Sequence, residues 1–251
     1  MTGPMISDPA FYAVAIPAVL LLGVSKSGFG AGFGSLAVPI MALVVSVPQA
    51  AAILMPVLLL MDLLGMAAFR KDFDRQLLQF IVPFGMLGIV VGAVLFKALD
   101  AHTVAATVGF FTLLFLAQRL LFPPRIDSEP PPRWLGALLT TTSGFTSFLA
   151  HAGGPPISAY VIPMRLSPVK FTATMAFFFF VVNLSKWVPY AFLGLIDMQN
   201  MSTSLVLLPF APIGVWVGVR LARHIDQKLF YRFLYAGMLL TAVKLLFDGL
   251  R

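Results

Sequence analysis

Residues 50–69 read AAAILMPVLLLMDLLGMAAF, an apolar run interrupted by one acidic side chain, Asp62. About 20 residues of α-helix cross the hydrocarbon core of a bilayer, so this run predicts a membrane-spanning helix. A lone strand could not satisfy its backbone hydrogen bonds in lipid. Five further runs have the same character, at residues 77–96, 103–122, 171–196, 202–219 and 229–247. The sequence therefore predicts an all-α polytopic membrane protein with six spanning helices.

The composition agrees with a chain that lies mostly in lipid. Of its 251 residues, 59% are hydrophobic and 11% are charged, whereas soluble domains average about 25% charged residues. This difference excludes a soluble enzyme, a disordered chain and a nucleic-acid-binding protein. The absence of cysteine excludes a disulfide scaffold, thiol catalysis and cysteine-ligated metals. The sequence contains neither a Walker loop nor a His/Asp/Glu cluster at metal spacing, so no cofactor or metal is expected.

The basic residues predict the orientation of the chain. Nine lysine and arginine side chains lie in three regions, at residues 70–75, 119–133 and 220–228. Because cytoplasmic loops carry the excess of these residues, all three regions are expected in the cytoplasm and both termini in the periplasm. The proline-rich stretch 123–133 is then a cytoplasmic linker within a single transporter domain, 1–251. This orientation requires residues 11–47 and 134–164 to cross an even number of times or to re-enter without crossing.

The two sides of the linker carry related sequences. The pattern PFxxxGxxxG occurs at 83–92 and again at 209–218, an offset of 126 residues. Glycines at this spacing also permit close helix packing, either inside one chain or in a homodimer. Opposite charge bias in equivalent loops predicts that the repeats, 1–122 and 134–251, are inverted. Each repeat is expected to contain three spanning helices and one Gly-rich broken or re-entrant helical hairpin, as is typical of secondary transporters.

Each repeat also has a glycine-rich stretch, SGFGAGFGS at 27–35 and HAGGPP at 151–156. Non-helical backbone at membrane depth is tolerated only where protein or a cavity covers it. Short helices are expected to begin near Gly34 and near Pro155. Two such helix starts arriving from opposite sides would direct unpaired N–H groups toward one point, which predicts an anion site. In the alternative interpretation, the glycines only permit tight helix packing.

Three stretches carry a family likeness. They are GVSKSGFGAGFGSLAVPIMAL at 23–43, SGFTSFLAHAGGPPISAYVIP at 143–163 and VVNLSKWVPYAFLG at 181–194. Together they resemble the TauE/SafE family of sulfite and organosulfonate exporters, over essentially the whole chain. The resemblance implies a multi-pass permease of the bacterial inner membrane that moves sulfite, sulfoacetate or a related sulfur-containing anion. Relatives that handle small carboxylates keep that substrate class open as an alternative.

Polar side chains within the apolar runs are candidates for the site, because placing them in lipid is costly. Lysine offers positive charge to an anion, and Asn183 shares a helix face with Lys186. The predicted substrate-binding residues are Lys26, Ser27, Gly28, Gly30, Gly32, Gly34, Ser35, His151, Gly153, Gly154, Ser158, Asn183 and Lys186. In the alternative interpretation, the lysines extend to the membrane interface and the hydroxyl groups only bond within helices.

Asp62 and His151 are the predicted proton-coupling residues. A carboxyl group in a low-dielectric span, or an imidazole that titrates near neutral pH, suits the uptake and release of a proton. Two structural roles are the alternatives: an ion pair of Asp62 with Lys26, and a helix cap formed by His151.

The leading hypothesis is a proton-coupled secondary anion transporter that works with a small anionic substrate and the lipid bilayer. A passive anion channel on the same architecture is the first alternative. The second is an intramembrane enzyme that uses Ser147 and His151, which lie four residues apart on one helix. Because no recognisable nucleophile motif surrounds Ser147, the sequence predicts that the protein is not an enzyme.

Overall fold

The computed structural model describes residues 5–28, 37–68, 71, 73–96, 98, 100–122, 131–164, 166, 168–221, 236, 239–240, 242–247 and 249–250. Regular structure within these ranges is helical, without strands. The all-α prediction is therefore confirmed. Most of the predicted last span, 229–247, lies outside the described residues.

The helices before the linker are α1 (Pro9–Gly28), α2 (Ala37–Met41), α3 (Val47–Ala68), α4 (Arg75–Phe96) and α5 (Ala101–Leu121). Those after it are α6 (Arg133–Ala150), α7 (Gly154–Val161), α8 (Pro168–Ser185), α9 (Trp187–Phe192), α10 (Met198–Leu207) and α11 (Phe210–Leu221). A 3₁₀ turn, Ile162–Met164, follows α7.

Two predicted spans are each divided into two helices. The run 171–196 is broken at Lys186, between α8 and α9. Pro189 has no N–H to donate to the Ser185 carbonyl, which would be its partner in a continuous helix. The run 202–219 is divided into α10 and α11, which are bent by 41°, and Pro209 removes a backbone donor at that break.

Helix ends also differ from the sequence pattern at the two glycine-rich stretches. The apolar run 11–24 predicts that the first helix ends before Ser25, but α1 continues to Gly28. The predicted helix start near Pro155 is at Gly154, the first residue of α7. Residues 29–36, which hold most of the first glycine-rich stretch, lie outside the described residues.

Four helices in the described ranges are long and apolar enough to cross a bilayer, at Pro9–Lys26, Val47–Ala67, Arg75–Phe96 and Ala173–Phe192. The bent pair α10–α11 is a fifth if it forms one span. Apolar side chains on α4 face outward, with Val90 58% and Val94 66% exposed. Since soluble proteins rarely expose continuous apolar surfaces of this kind, these faces belong in lipid. The chain is a multi-pass membrane protein.

Helices α6 and α7 form a tight hairpin. The Tyr160 ring near the end of α7 packs directly over Gly136 near the start of α6, and Gly153 at the turn packs against Ser147. The eight residues of α7 extend only about 12 Å, too short to cross a bilayer. The end of α7 therefore lies near the end of the bundle from which α6 starts.

Helices α3 and α8 cross at the centre in an antiparallel sense. Asp62 bonds to Asn183, Gly65 faces Ala176, and the backbone N–H of Asp74 just beyond α3 donates to Thr174. Residue numbers thus rise along one helix as they fall along the other. This central crossing brings the polar residues of the two helices together.

Two helix pairs each join the part of the chain before residue 123 to the part after it: α1 packs against α11, and α4 packs against α6. We call these the exchanged pairs. A Cβ atom on Gly144 would lie 2.0 Å from the Gly85 carbonyl oxygen, and one on Gly23 would lie 2.8 Å from the Gly214 carbonyl carbon. Only glycine permits backbones to approach this closely. The glycines at these crossings therefore serve packing within the chain.

Candidate functional site

Asp62 lies at the centre of a buried polar network. Its side chain is 3% exposed. One carboxylate oxygen accepts a hydrogen bond from the Lys26 ammonium group of α1, and the other accepts one from Asn183 Nδ2 of α8 at 2.5 Å. The ion pair with Lys26, which was the structural alternative to a proton-coupling role of Asp62, is present. The carboxylate thus connects helices from both sides of the linker, and both of its oxygens are occupied.

Lys186 is the most deeply buried charged residue of the network, with no exposed surface. Its Nζ donates to Ser147 Oγ at 2.7 Å, to Asn183 Oδ1 at 2.8 Å and to His151 Nδ1 at 2.9 Å. An ammonium group has three N–H donors, so neutral acceptors use all of them. The interpretation in which Lys186 extends to the membrane interface is therefore wrong.

His151 links Lys186 to the backbone of α3. Its Nε2 lies 2.8 Å from the Ala51 carbonyl oxygen, and its Nδ1 faces the Lys186 ammonium group. A carbonyl can only accept and an ammonium can only donate, so these partners assign a neutral imidazole with its proton on Nε2. His151 is also the C-cap of α6, in the left-handed conformation with φ of 53°. The residue thus combines the cap with a contact to a charged group.

The turn after α6 is held by side-chain hydrogen bonds. Ser143 Oγ donates to the Gly153 carbonyl at 2.6 Å, and Thr146 Oγ1 donates to the Ala152 carbonyl at 3.0 Å. The Tyr190 hydroxyl of α9 donates to the Phe148 carbonyl at 2.6 Å. These bonds fasten α9 and the turn to the end of α6. The break between α8 and α9 is thereby fixed against His151, which directs Lys186 into the network.

These contacts form one continuous chain from Lys26 through Asp62, Asn183, Lys186 and His151 to Ala51. It meets α3 at positions 62 and 51, which are about 16 Å apart along a helix axis. The network contains two lysines and one aspartate, an excess of one basic side chain. Since buried charge is costly without a partner, this excess favours binding of an anion. The Lys26 side chain is 21% exposed, which makes it the most accessible charged member.

Five of the predicted site residues are thus brought together: Lys26, Asp62, His151, Asn183 and Lys186. Gly153 lies beside them at the turn, Gly154 begins α7, and Ser158 is buried within α7. Gly30, Gly32, Gly34 and Ser35 lie outside the described residues, and of Ser27 and Gly28 only the helical backbone is described.

The amide groups at the start of α7 are fewer than the sequence-based anion site requires. Pro155 and Pro156 have no N–H, so among the first four helical residues only Gly154 and Ile157 can donate. The expected anion site would therefore have two amide donors on this side. Lys26 and Lys186 are the basic side chains of the neighbouring network.

Two members of the network were not predicted in these roles. The sequence singled out Ser147 as part of the enzyme alternative, but its hydroxyl accepts from Lys186. The Ala51 carbonyl carries no sequence signal of its own. The spacing of Ser147 and His151, one helical turn apart, was the available indication that both side chains face the same partner. Among the described residues, no group of three His, Cys, Asp or Glu side chains could hold a metal ion.

Comparison with known proteins gives one match. The family model for the sulfite exporter TauE/SafE matches residues 15–245. The chain belongs to the TauE/SafE family. No curated protein and no solved structure matches the chain in the corresponding comparisons. The matched region contains every residue of the polar network, so membership in this transporter family covers the candidate site as well as the fold.

Proposed function

We propose that this TauE/SafE protein is a secondary transporter that moves a small sulfur-containing anion, such as sulfite or an organosulfonate, across the bacterial inner membrane. The observation that carries the proposal is the buried network of Lys26, Asp62, Asn183, Lys186 and His151. Its members come from helices on both sides of the linker. Its excess of basic over acidic side chains suits an anion, and its position at the centre of the bundle suits a site that is reached from either side.

The exchanged packing of the helices supports a duplicated, inverted architecture. Gly88 on α4 and Gly214 on α11 are separated by the repeat offset of 126 residues, and each lies at a close crossing with the first helix of the other half. The antiparallel crossing of α3 and α8 is the arrangement expected of equivalent helices in inverted repeats. In such a protein, one half can rock against the other around a fixed central site.

The orientation follows from charges that share one end of the bundle. Lys170 Nζ of α8 lies 2.8 Å from Asp74 Oδ2 at the start of α4. Glycine contacts along α4 and α6 progress in the same direction, from Gly88 beside Gly144 to Gly92 beside Phe148. The starts of α4, α6 and α8 therefore lie together. Because this end carries the excess of basic residues, we place it in the cytoplasm, with the termini in the periplasm.

Sulfite flux into proteoliposomes tests the proposed function. We expect Lys26→Ala and Lys186→Ala to reduce the flux by at least about 100-fold, because truncating one partner of a buried charged contact costs several kcal/mol. Lys170→Ala is the matched control, since it removes a lysine that is 44% exposed and outside the network. The proposal fails if both network variants transport at the wild-type rate while remaining monodisperse in detergent.

Counterflow distinguishes a carrier from a channel. Unlabelled sulfite inside the vesicles should accelerate the entry of labelled sulfite through a carrier and leave a channel unaffected. The serine–histidine alternative receives no support from the geometry, because the Nδ1 of His151 accepts from Lys186 and its Nε2 donates to Ala51. Neither ring nitrogen is therefore available to take a proton from Ser147.

A further inference from the structure

We infer that Asp62 is a built-in counter-anion: it occupies the donors that bind the substrate anion, and it must take up a proton before the substrate can replace it. This inference rests on the proposed function. Its consequence is that each monovalent anion is bound, and moved, together with one proton.

The contacts of Asp62 support this role. Lys26 and Asn183 direct their N–H groups at its two carboxylate oxygens, so the carboxylate holds the donors that a small oxyanion would need. A sulfite or sulfonate group presents similar oxygens and accepts the same hydrogen bonds. Protonation makes Asp62 a weaker acceptor and frees the Lys26 ammonium group for the substrate. Lys26 is the partly exposed member of the network, so it is also where an incoming anion first meets positive charge.

The net charge of the buried network is the same without and with a bound anion only if a proton binds together with the anion. In the empty state the charges of Lys26 and ionised Asp62 cancel. A monovalent anion added beside ionised Asp62 places two negative groups at the same donors, where they repel each other. With Asp62 protonated, the charges of Lys26 and the bound anion again cancel. Binding of anion and proton together thus leaves the buried charge unchanged.

The other titratable groups that face Asp62 are fixed by their partners. Lys26 comes from α1, Lys186 acts through Asn183 from the end of α8, and His151 contacts Lys186 from the end of α6. Of the other helices that pack against α3, α2, α10 and α11 contain no titratable group among their described side chains, and His102 of α5 is exposed. His151 uses one ring nitrogen as donor and the other as acceptor. A second proton on His151 would face the Lys186 ammonium group, so this residue positions Lys186 and is not the proton carrier.

Sulfite binding to the purified protein in detergent tests the inference by calorimetry. The titrations are run in the mildly acidic range, where sulfite is mainly monovalent hydrogensulfite, in buffers of different ionisation enthalpy. The wild type should take up close to one proton for each anion bound. Its affinity should weaken by up to about tenfold for each unit of increase in pH.

Two variants identify the group that takes the proton. Asp62→Asn removes the titratable charge and should bind sulfite without proton uptake and with an affinity independent of pH. His151→Gln keeps one acceptor and one donor at the ring position, and should retain the proton uptake of the wild type. Asp62→Glu should restore the pH dependence that Asp62→Asn lacks.

The outcomes separate this inference from the proposed function. Absence of sulfite binding and flux in the wild type would overturn the proposed function. Binding without proton uptake in the wild type would overturn only the inference, even if Asp62→Asn does not fold. Proton uptake that persists in Asp62→Asn, or that disappears in His151→Gln, would also overturn it.

Discussion

Two lysine–aspartate contacts in this molecule have the same chemistry and different surroundings. Lys26 and Asp62 meet inside the bundle, where their side chains are 21% and 3% exposed. Lys170 and Asp74 meet at the end of the bundle, where theirs are 44% and 22% exposed. Water can take the place of either partner in the second pair, whereas Asp62 depends on protein donors for both oxygens. The comparison indicates that the exposed pair fastens helix ends and that the buried pair is part of the site.

Asp74 of the exposed pair also caps helix α4, which gives this residue a structural role. Asp74 Oδ1 accepts from the Leu77 backbone N–H at 3.0 Å, which caps α4, and the Asp74 N–H donates to Thr174. The Leu77 N–H, and after it the Lys170 ammonium group, hold the pKa of the Asp74 carboxyl below its usual value. This contact thus joins the start of α4 to the start of α8.

The largest difference in stability between the two regions is expected when a lysine of each is substituted. Lys186→Met leaves the neutral acceptors of Ser147, Asn183 and His151 without their common donor, and should lower the free energy of unfolding by about 1–3 kcal/mol, the cost of leaving buried polar groups unsatisfied. Lys170→Met removes a half-exposed ion pair and should lower it by less than about 1 kcal/mol. Unfolding in detergent followed by circular dichroism measures both. If the two substitutions had equal effects on stability, the distinction between the buried network and the exposed pair at the helix ends would be contradicted.

A smaller effect is expected at the cap of α4. Asp74→Ala removes the acceptor for the Leu77 N–H and should cost about 1 kcal/mol of stability. Asp74→Asn keeps a capping oxygen and loses only the charge, so it should retain most of that stability. The same unfolding measurement applies. A loss as large for Asp74→Asn as for Asp74→Ala would assign the stabilisation to the ion pair rather than to the cap.

The smallest predicted effect is the pH dependence of the stability that Asp74 contributes. Because the pKa of Asp74 is lower in the folded protein, its ionised form adds stability above the usual value of 3.8, and this stability is lost as pH falls through the folded-state pKa. The advantage of the wild type over Asp74→Asn should therefore be constant near neutral pH and disappear in strong acid. Its size should be below about 1 kcal/mol, since both side chains are partly exposed. An advantage that grows on acidification would contradict the assignment.

The sequence predicted the helical fold because long apolar runs have few alternatives in lipid. The runs 50–69 and 77–96 agree closely with α3 and α4. The break at Lys186 was missed, although Pro189 was a visible signal, because the surrounding residues form one continuous apolar run. Hydropathy depends only on which side chains are present, so it does not register the backbone N–H that a single proline lacks.

The sequence indicated which polar residues belong to the candidate site, but it did not indicate which of them contact one another. Burial of charge in an apolar run was enough to single out Asp62 and Lys186. The contact of Lys186 with His151 joins residues 35 positions apart in the sequence, and no local pattern encodes such a distance. The anion site was expected from backbone amides, and the paired prolines of HAGGPP reduce the number of amide donors at the start of α7.

The exchanged helix pairs have a consequence for how the chain could be divided. Because α1 packs mainly against α11 and α6 packs mainly against α4, each half loses the main partner of its first helix when it is made alone. A gene split within the codons for 123–133 should therefore yield two fragments that are degraded when expressed singly and that complement each other when expressed together.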